Sequence, residues 1–295
     1  MTFLRFSAIL NAMENKAVHH GCMHTQFPHW NRLMADRYHL YPLTGAGSLK
    51  VEGLAKRVIV DLGRSSPAES RKRVVETTIW LANISITNAT YEQDDVLRAL
   101  MKRGLTRDLI VDCCIPDAAR LLGDGWMENL RTFGQVSLGT ARLQALLKAL
   151  TVRREAILSN HELGSLFVLA CEGEDHTLGA LVFTDQLRRR GYSVNVLLGA
   201  RIAEIQSLIT KGDFDTILLS SSSETAFETV AKTINYLRHK NSSLPPLVIG
   251  GGIVDILGRK IHQRVDVDLV SNDLGQVLDF ISPHYLNDNN NERAS

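Results

Sequence analysis

This sequence predicts an α + α/β protein, a four-helix bundle followed by a doubly wound parallel sheet. Three observations predict it. From residue 67 to about 157, apolar side chains recur at spacings of three and four, the helical period. From 165 to 281, short apolar runs alternate with amphipathic ones, the pattern of strand and helix in a parallel sheet. Between the two lies Ser159-Asn-His-Glu-Leu-Gly164, a polar segment ending in glycine that reads as a linker.

Residues 1–65 have weak periodicity and scattered turn residues such as Gly45 and Gly47, and read as a loosely structured N-terminal arm. The bundle cap is placed at 66–158. Its first helix opens at Ser66-Pro67-Ala-Glu69, with proline at a first helical position and a carboxylate in the first turn. Val74, Val75, Ile79, Leu81, Ala82 and Ile84 continue it. A second helix, Tyr91 to Met101, is closed by Lys102-Arg103-Gly104, cations and then a glycine cap. The third, Thr106 to Leu122, contains Pro116, which is expected to kink it or to mark a new start. The fourth runs from Leu130 to about Ile157, with Leu143, Leu146, Leu147 and Leu150 on one face. Short connections between four helices favour a bundle.

The α/β domain is placed at 165–283. Strands are predicted at Ser165–Cys171, Tyr192–Leu198, Thr216–Ser220, Pro246–Ile249 and Asp266–Val270. Helices are predicted near Leu178–Arg190, Ile202–Lys211, Glu224–His239, Val254–Lys260 and Leu274–Ile281. Arg188-Arg-Arg190 reads as a solvated helix end favoured by the dipole. Residues 284–295, rich in Asn and Asp, read as a disordered tail.

Bulk properties narrow the function. A net charge of +1 gives no sign of a polyanion partner, and no recognition helix for autonomous DNA reading is visible. No apolar run reaches the length of a membrane span. The N-terminal apolar run is too short for a secretory signal, so the expected location is the cytoplasm and the four cysteines are expected as reduced thiols. Cys113 and Cys114, adjacent in a helical pattern, read as core.

The informative stretch is Glu172-Gly-Glu-Asp-His-Thr-Leu-Gly179, where the first apolar strand ends. It puts His176 at the carboxyl edge of the sheet, the edge at which open α/β sheets bind ligands. A neutral imidazole is a common metal ligand. A carboxylate beside it, Glu174 or Asp175, would fix its tautomer. Two further loops reach the same edge, Ser220-Ser-Ser-Ser-Glu224 and Gly250-Gly-Gly-Ile253. Their small hydroxyls and glycines would line a slot in which a bulky tail passes close to backbone, and Gly179 would let the next helix start close to the ligand. Each feature alone has a plain reading: a satisfied loop histidine, a helix cap, a strand-to-helix turn. In register they suit a planar metal cofactor with a tail.

The spacing resembles that of cobalamin-binding domains in the base-off, His-on mode, which carry Asp-x-His-x-x-Gly, then Ser-x-Leu, then Gly-Gly. Here the pattern stands as Glu174-x-His176-x-x-Gly179, Ser220-x-Ser222 and Gly250-Gly251. It departs at Glu174, where the family has aspartate, and at Ser222, where it has leucine and where the tail slot becomes more polar. The resemblance implies a flavodoxin/Rossmann-like B12-binding domain under a four-helix cap. It implies that His176 is the lower axial ligand of cobalt, with Asp175, Thr177, Leu178, Ser220, Gly250 and Gly251 around the cofactor. Light-sensing cobalamin repressors carry in the cap a Trp followed by a Glu-His pair. Trp126, in Leu121-Leu-Gly-Asp-Gly-Trp126, resembles that Trp loop, but Val136 and Ser137 stand at the pair. Hydroxo- or methylcobalamin is therefore implied rather than the adenosyl form.

The segment Phe133-Gly-Gln-Val-Ser-Leu-Gly-Thr-Ala-Arg-Leu-Gln144 is similar to that of the PpaA/AerR family, regulators of photosynthesis genes. The resemblance covers residues 67–282. It implies a light- or redox-responsive regulator of the antirepressor type, not an enzyme, with a transcription repressor of photosynthesis genes as partner. Two alternatives share the domain: a corrinoid shuttle protein of a methyltransferase system, and a sensor holding heme. In the arm, His19-His-Gly-Cys-Met-His24 leaves three readings open. It is plain sequence, it supplies an upper ligand from His19, His20 or His24, or it forms a separate metal or redox site.

Overall fold

The computed structural model describes residues 67–87, 91–155, 163–241 and 243–282. The arm with His19, His20, His24 and Cys22, most of the linker, and the tail lie outside them. The chain divides into two compact units, Met1–Arg71 and Lys72–Ser295. The second holds the sheet and all of the helices but the first five residues of the first one.

Its helical part comprises α1 (Pro67–Ile86), α2 (Gln93–Lys102), α3 (Arg107–Leu109), a π-helical turn (Ile110–Cys114), α4 (Ile115–Met127) and α5 (Phe133–Glu155). Leu81, Leu100, Ile110, Ile115, Leu122, Leu143 and Leu146 are fully buried in it. Gly139 lets α5 approach closely: a Cβ there would lie 2.5 Å from Leu122 Cδ1 and 2.9 Å from Ile86 Cγ2. Arg142 donates to the carbonyls of Ser85 and Thr87 at 3.0 and 2.9 Å, satisfying the end of α1, and stacks over Tyr91 at 4.2 Å. The second helix ends as expected, with Gly104 at φ +70° and Arg103 stacked on Trp80.

Pro116 marks a new start, as expected: it stands in the first turn of α4. It has no N–H for the carbonyl four residues back, and the chain widens upstream into the π turn, where Ile115 N–H bonds Ile110 O. The helix then runs to Met127, past the predicted end at Leu122. The segment Leu121–Trp126, expected as a loop, is helical. The Arg131 side chain packs over Gly125, while Gly123 meets nothing within 4 Å.

The sheet has five parallel strands: β1 (Ser165–Cys171), β2 (Ser193–Ala200), β3 (Thr216–Ser220), β4 (Leu247–Gly250) and β5 (Leu269–Val270), in the order β2-β1-β3-β4-β5. Connecting helices are α6 (Leu178–Arg188), α7 (Ile202–Lys211), α8 (Glu224–Lys240), α9 (Gly252–Leu257), α10 (Ile261–Arg264) and α11 (Leu274–Phe280). Side chains alternate between two cores. Phe167, Leu169, Ile217, Leu219, Leu247 and Ile249 pack with Ile205, Phe227, Val230 and Ile253. Leu166, Val168, Leu218 and Val248 pack with Ala180, Leu187, Val277 and Phe280. Covered on both faces, β1 is buried from Leu166 to Cys171, so it reads as an unbroken apolar run rather than an alternating one. Each large side chain so buried contributes about 1.5–3 kcal/mol. This strand order reverses direction between β1 and β3, and that switch point opens the crevice at the carboxyl edge.

Arg188-Arg-Arg190 is not a solvated end. Arg189, with a side chain 11% exposed, pairs with Asp185 of its own helix at 2.8 Å, with Asp108 at 3.3 Å and with Asp112. Arg188 donates to Val194 O and Arg190 to Gln186 O. Bundle and sheet are therefore joined by a partly buried ion cluster. Among the described residues, no helix is long and apolar enough to cross a membrane.

Of the two cysteines expected in the core, Cys114 is buried and Cys113 only half-buried; Cys171, in β1, is buried as well. Burial pushes the Cys114 thiol up to about 12 and also raises Cys171. At pH 8 the raised thiols stay in the unreactive protonated form. Iodoacetamide at that pH should leave both thiols unmodified in the native protein and label both in denaturant, as read by peptide mass spectrometry.

Candidate functional site

The carboxyl edge brings together the β1 loop with Glu174 and His176, and the β3 loop with Ser222. Glu174 is buried, with a side chain only 1% exposed. Its carboxylate is satisfied by hydrogen-bond donors. Oε1 accepts the His176 N–H at 2.8 Å and the Ser222 hydroxyl at 2.7 Å. Oε2 accepts the Ser222 N–H at 2.6 Å. One carboxylate thus pins both loops across the switch point. Removing it would leave donors unpaired at about 1–3 kcal/mol each.

His176 is held from behind and open in front. Its Nδ1 lies 3.1 Å from Ser222 Oγ and 3.5 Å from Glu174 Oε1, while its side chain is 80% exposed. The imidazole is oriented chiefly through the serine. Of the two carboxylates predicted to orient it, Glu174 is the buried one; Asp175 is exposed. Ser222, expected to line the tail slot, has its hydroxyl engaged between carboxylate and ring. Neither departure from the family pattern signalled this contact, because Glu174 and Ser222 lie 48 positions apart.

The glycines differ in what their missing side chains leave. A Cβ on Gly251, which has φ +97°, would lie 2.3 Å from Ser221 O, and one on Gly252 would lie 2.9 Å from Ser222 O. There the β3-loop backbone fills the space, so these glycines draw two loops together. Gly250 O accepts the Ser221 N–H, Ser221 O accepts the Ile253 N–H, and Asn272 brackets Gly251 through its N–H and its carbonyl. Asn272 was not anticipated; it follows β5 and ties a fourth loop to the edge. Gly179 faces open space, so the start of α6 leaves room beside His176. Ser220 ends β3 in register with Gly250 and Ala170.

The bundle reaches this edge through α5. Gln144 Nε2 donates to Thr177 Oγ1 at 3.2 Å, next to His176. Thr177 precedes α6 and buried Leu178 opens it. Ser137 lies seven residues before Gln144, two turns along the same face of α5. Ser137 is exposed and Val136 half-buried. Trp126, at the end of α4, is 47% exposed and meets Phe133, 70% exposed, edge to face at 6.2 Å. The loops are thus brought into contact with one another, and α5 is joined to them at Gln144, a residue the sequence did not single out.

Residues 164–272 match the B12 binding domain. An uncharacterized 20.5 kDa protein from the bchF-crtJ intergenic region of Rhodobacter capsulatus is 32% identical over 173 residues, 57% of this chain and 88% of that protein. The chain belongs to the PpaA/AerR-type family of B12-binding-domain proteins. Among solved structures, a cobalamin-binding protein of Desulfitobacterium hafniense is similar over 70% of this chain and 96% of its own, at 15% identity and a TM-score of 0.37. The methanol:cobalamin methyltransferase complex MtaBC of Methanosarcina barkeri is similar over 71% and 79%, at 18% identity and a TM-score of 0.34.

The residues present fit the family's cofactor. An exposed imidazole on an anchored loop is a donor that would hold a metal. Nothing lies within 4 Å of a Cβ built at Gly179, and Trp126 with Phe133 leaves apolar surface exposed on the bundle. Among the described residues no three His, Cys, Asp or Glu side chains converge on one point. A lone imidazole suits a metal whose other positions are filled by a macrocycle better than it suits a bare ion.

Proposed function

We infer that this protein is a cytoplasmic, cobalamin-binding regulator, acting on a transcription repressor of photosynthesis genes rather than catalysing a reaction. The observation that carries the cofactor assignment is His176, exposed at the sheet edge while Glu174 and Ser222 grip it from behind. His176 would hold cobalt from below, with Thr177, Leu178 and Gly179 beside it, and Ser220, Gly250 and Gly251 toward the tail. Trp126, Val136 and Ser137 would face the upper side, where Val136 and Ser137 supply no imidazole. When bound, cobalamin supplies a cobalt centre whose upper ligand is exchanged by light or by chemistry. The chain supplies what reads that exchange: Gln144 ties α5 to the loop carrying His176, so a shift at the loop is felt by the cap. A group held at that loop would move the cap only by its differential affinity for two arrangements of the chain.

Protein mixed with hydroxocobalamin is expected to shift the visible spectrum, and His176→Ala is expected to abolish the shift and to weaken binding at least tenfold. No shift with the wild type would end the cobalamin reading, and a Soret band gained only with hemin would replace it with heme. The regulatory reading predicts that loaded protein captures a purified photosynthesis-gene repressor differently in light and dark. Methyl transfer to a partner enzyme, with no such capture, would instead place the chain among corrinoid shuttle proteins.

A further inference from the structure

Ser222 stands where the family pattern has leucine, and Glu174 stands where it has aspartate. The structure explains both at once. The longer carboxylate reaches across the switch point to the β3 loop and meets a hydroxyl that leucine would not offer. A serine hydroxyl has one hydrogen. Glu174 is an acceptor, held to the Ser222 hydroxyl at 2.7 Å and to the Ser222 N–H at 2.6 Å. The hydroxyl hydrogen therefore goes to the carboxylate. Ser222 Oγ then faces His176 Nδ1, 3.1 Å away, with a lone pair only. It must accept, so Nδ1 must carry the proton. Nε2 is left as the bare nitrogen on the exposed side of the ring.

We propose that Ser222 is the positioning residue that fixes the tautomer of His176, with Glu174 acting through it as a two-member relay. This rests on the reading of His176 as an axial ligand and says how that ligand is prepared. The ring is presented Nε2-first before any cofactor arrives. Binding then needs no tautomer exchange and no turning of the ring. Serine and glutamate replace leucine and aspartate as a matched pair, so exchanging either alone breaks the relay.

The test uses the full chain without cofactor, labelled with ¹⁵N-histidine, at a pH where the ring is neutral. Two-bond ¹⁵N–¹H correlations report the tautomer. Wild type should show His176 protonated at Nδ1; Ser222→Ala should lose that preference, and Ser222→Thr should restore it. A wild-type ring protonated at Nε2, or a preference unchanged in Ser222→Ala, overturns the proposal whatever the protein binds. In parallel, Ser222→Ala should weaken hydroxocobalamin binding by about 10- to 100-fold, the usual loss when the group orienting a metal-bound histidine is removed. Glu174→Asp should weaken it similarly, and the double variant Glu174→Asp with Ser222→Leu should recover at least tenfold over either single one. Failure of wild type to bind any corrinoid would defeat the cofactor reading but leave the tautomer result to judge the relay. Additive losses in the double variant would overturn the pairing.

Discussion

Gly251→Ala is expected to lower the melting temperature by about 4–12 °C, from roughly 2–3 kcal/mol of lost stability. Two terms act together. The backbone at φ +97° lies where an L side chain is strained. The added Cβ would also lie 2.3 Å from Ser221 O and 3.0 Å from Ser221 C and N. These are backbone atoms, and that same carbonyl holds the Ile253 N–H at 3.0 Å, so they have little room to yield. The strain falls at the site rather than in a remote loop. Ser221 is followed by Ser222, whose N–H and hydroxyl hold Glu174, which in turn holds the His176 N–H. Displacing the β3 loop therefore slackens the histidine. Thermal melts should show the drop, and corrinoid titration a weaker affinity. Gly179→Ala is the control: its Cβ meets nothing within 4 Å, so the melt should hardly change. A Gly251→Ala melt within 1–2 °C of wild type would mean that the β3 and β4 loops are not packed as described.

The same contrast shows what a sequence can and cannot carry. Strand β1 was legible to the residue, because burial on both faces leaves an unbroken apolar run and the β1 loop follows from where it stops. The start of α8 was equally plain, since Ser223 caps it through Ala226 N–H. In the third helix Pro116 marks the new start that it predicts, after a π turn, whereas two glycines that read as a loop are helical, Arg131 covering one of them. There a side chain six residues on overrides a local preference. The site was legible in its parts but not in its wiring. Glu174 and Ser222 were noticed as departures from a pattern, yet that they touch is a fact about two strands being adjacent in the sheet. Gln144 and Asn272 carry no local signal at all: an amide on a helix and one after a strand look like ordinary polar residues until Thr177 and Gly251 are found opposite.

Arg189 is the other place where local reading failed, and it carries the second large effect. Arg189→Met should cost about 3 kcal/mol, the lower end of the range for removing one partner of a buried ion cluster, since Asp108 and Asp112 remain partly exposed. The corresponding fall in melting temperature is about 6–12 °C. Asp185, with a side chain 8% exposed, bears most of the penalty, since it loses an ion pair at 2.8 Å. Arg189→Lys should recover only part of the loss, because an ammonium cannot span three carboxylates as a guanidinium fork does. The position of the residue makes the effect more than a matter of stability. Helix α6 is held by the bundle at both ends, by Gln144 on Thr177 at the front and by Asp108 and Asp112 on Arg189 at the rear. With the rear grip gone, one hydrogen bond is left of these contacts. Hydrogen exchange should then quicken in the segment from Arg107 to Met127 well before it quickens in β1 and β3, and the melt should split in two. A single transition, with exchange rising equally in bundle and sheet, would show that the cluster stabilises the fold without coupling its two layers.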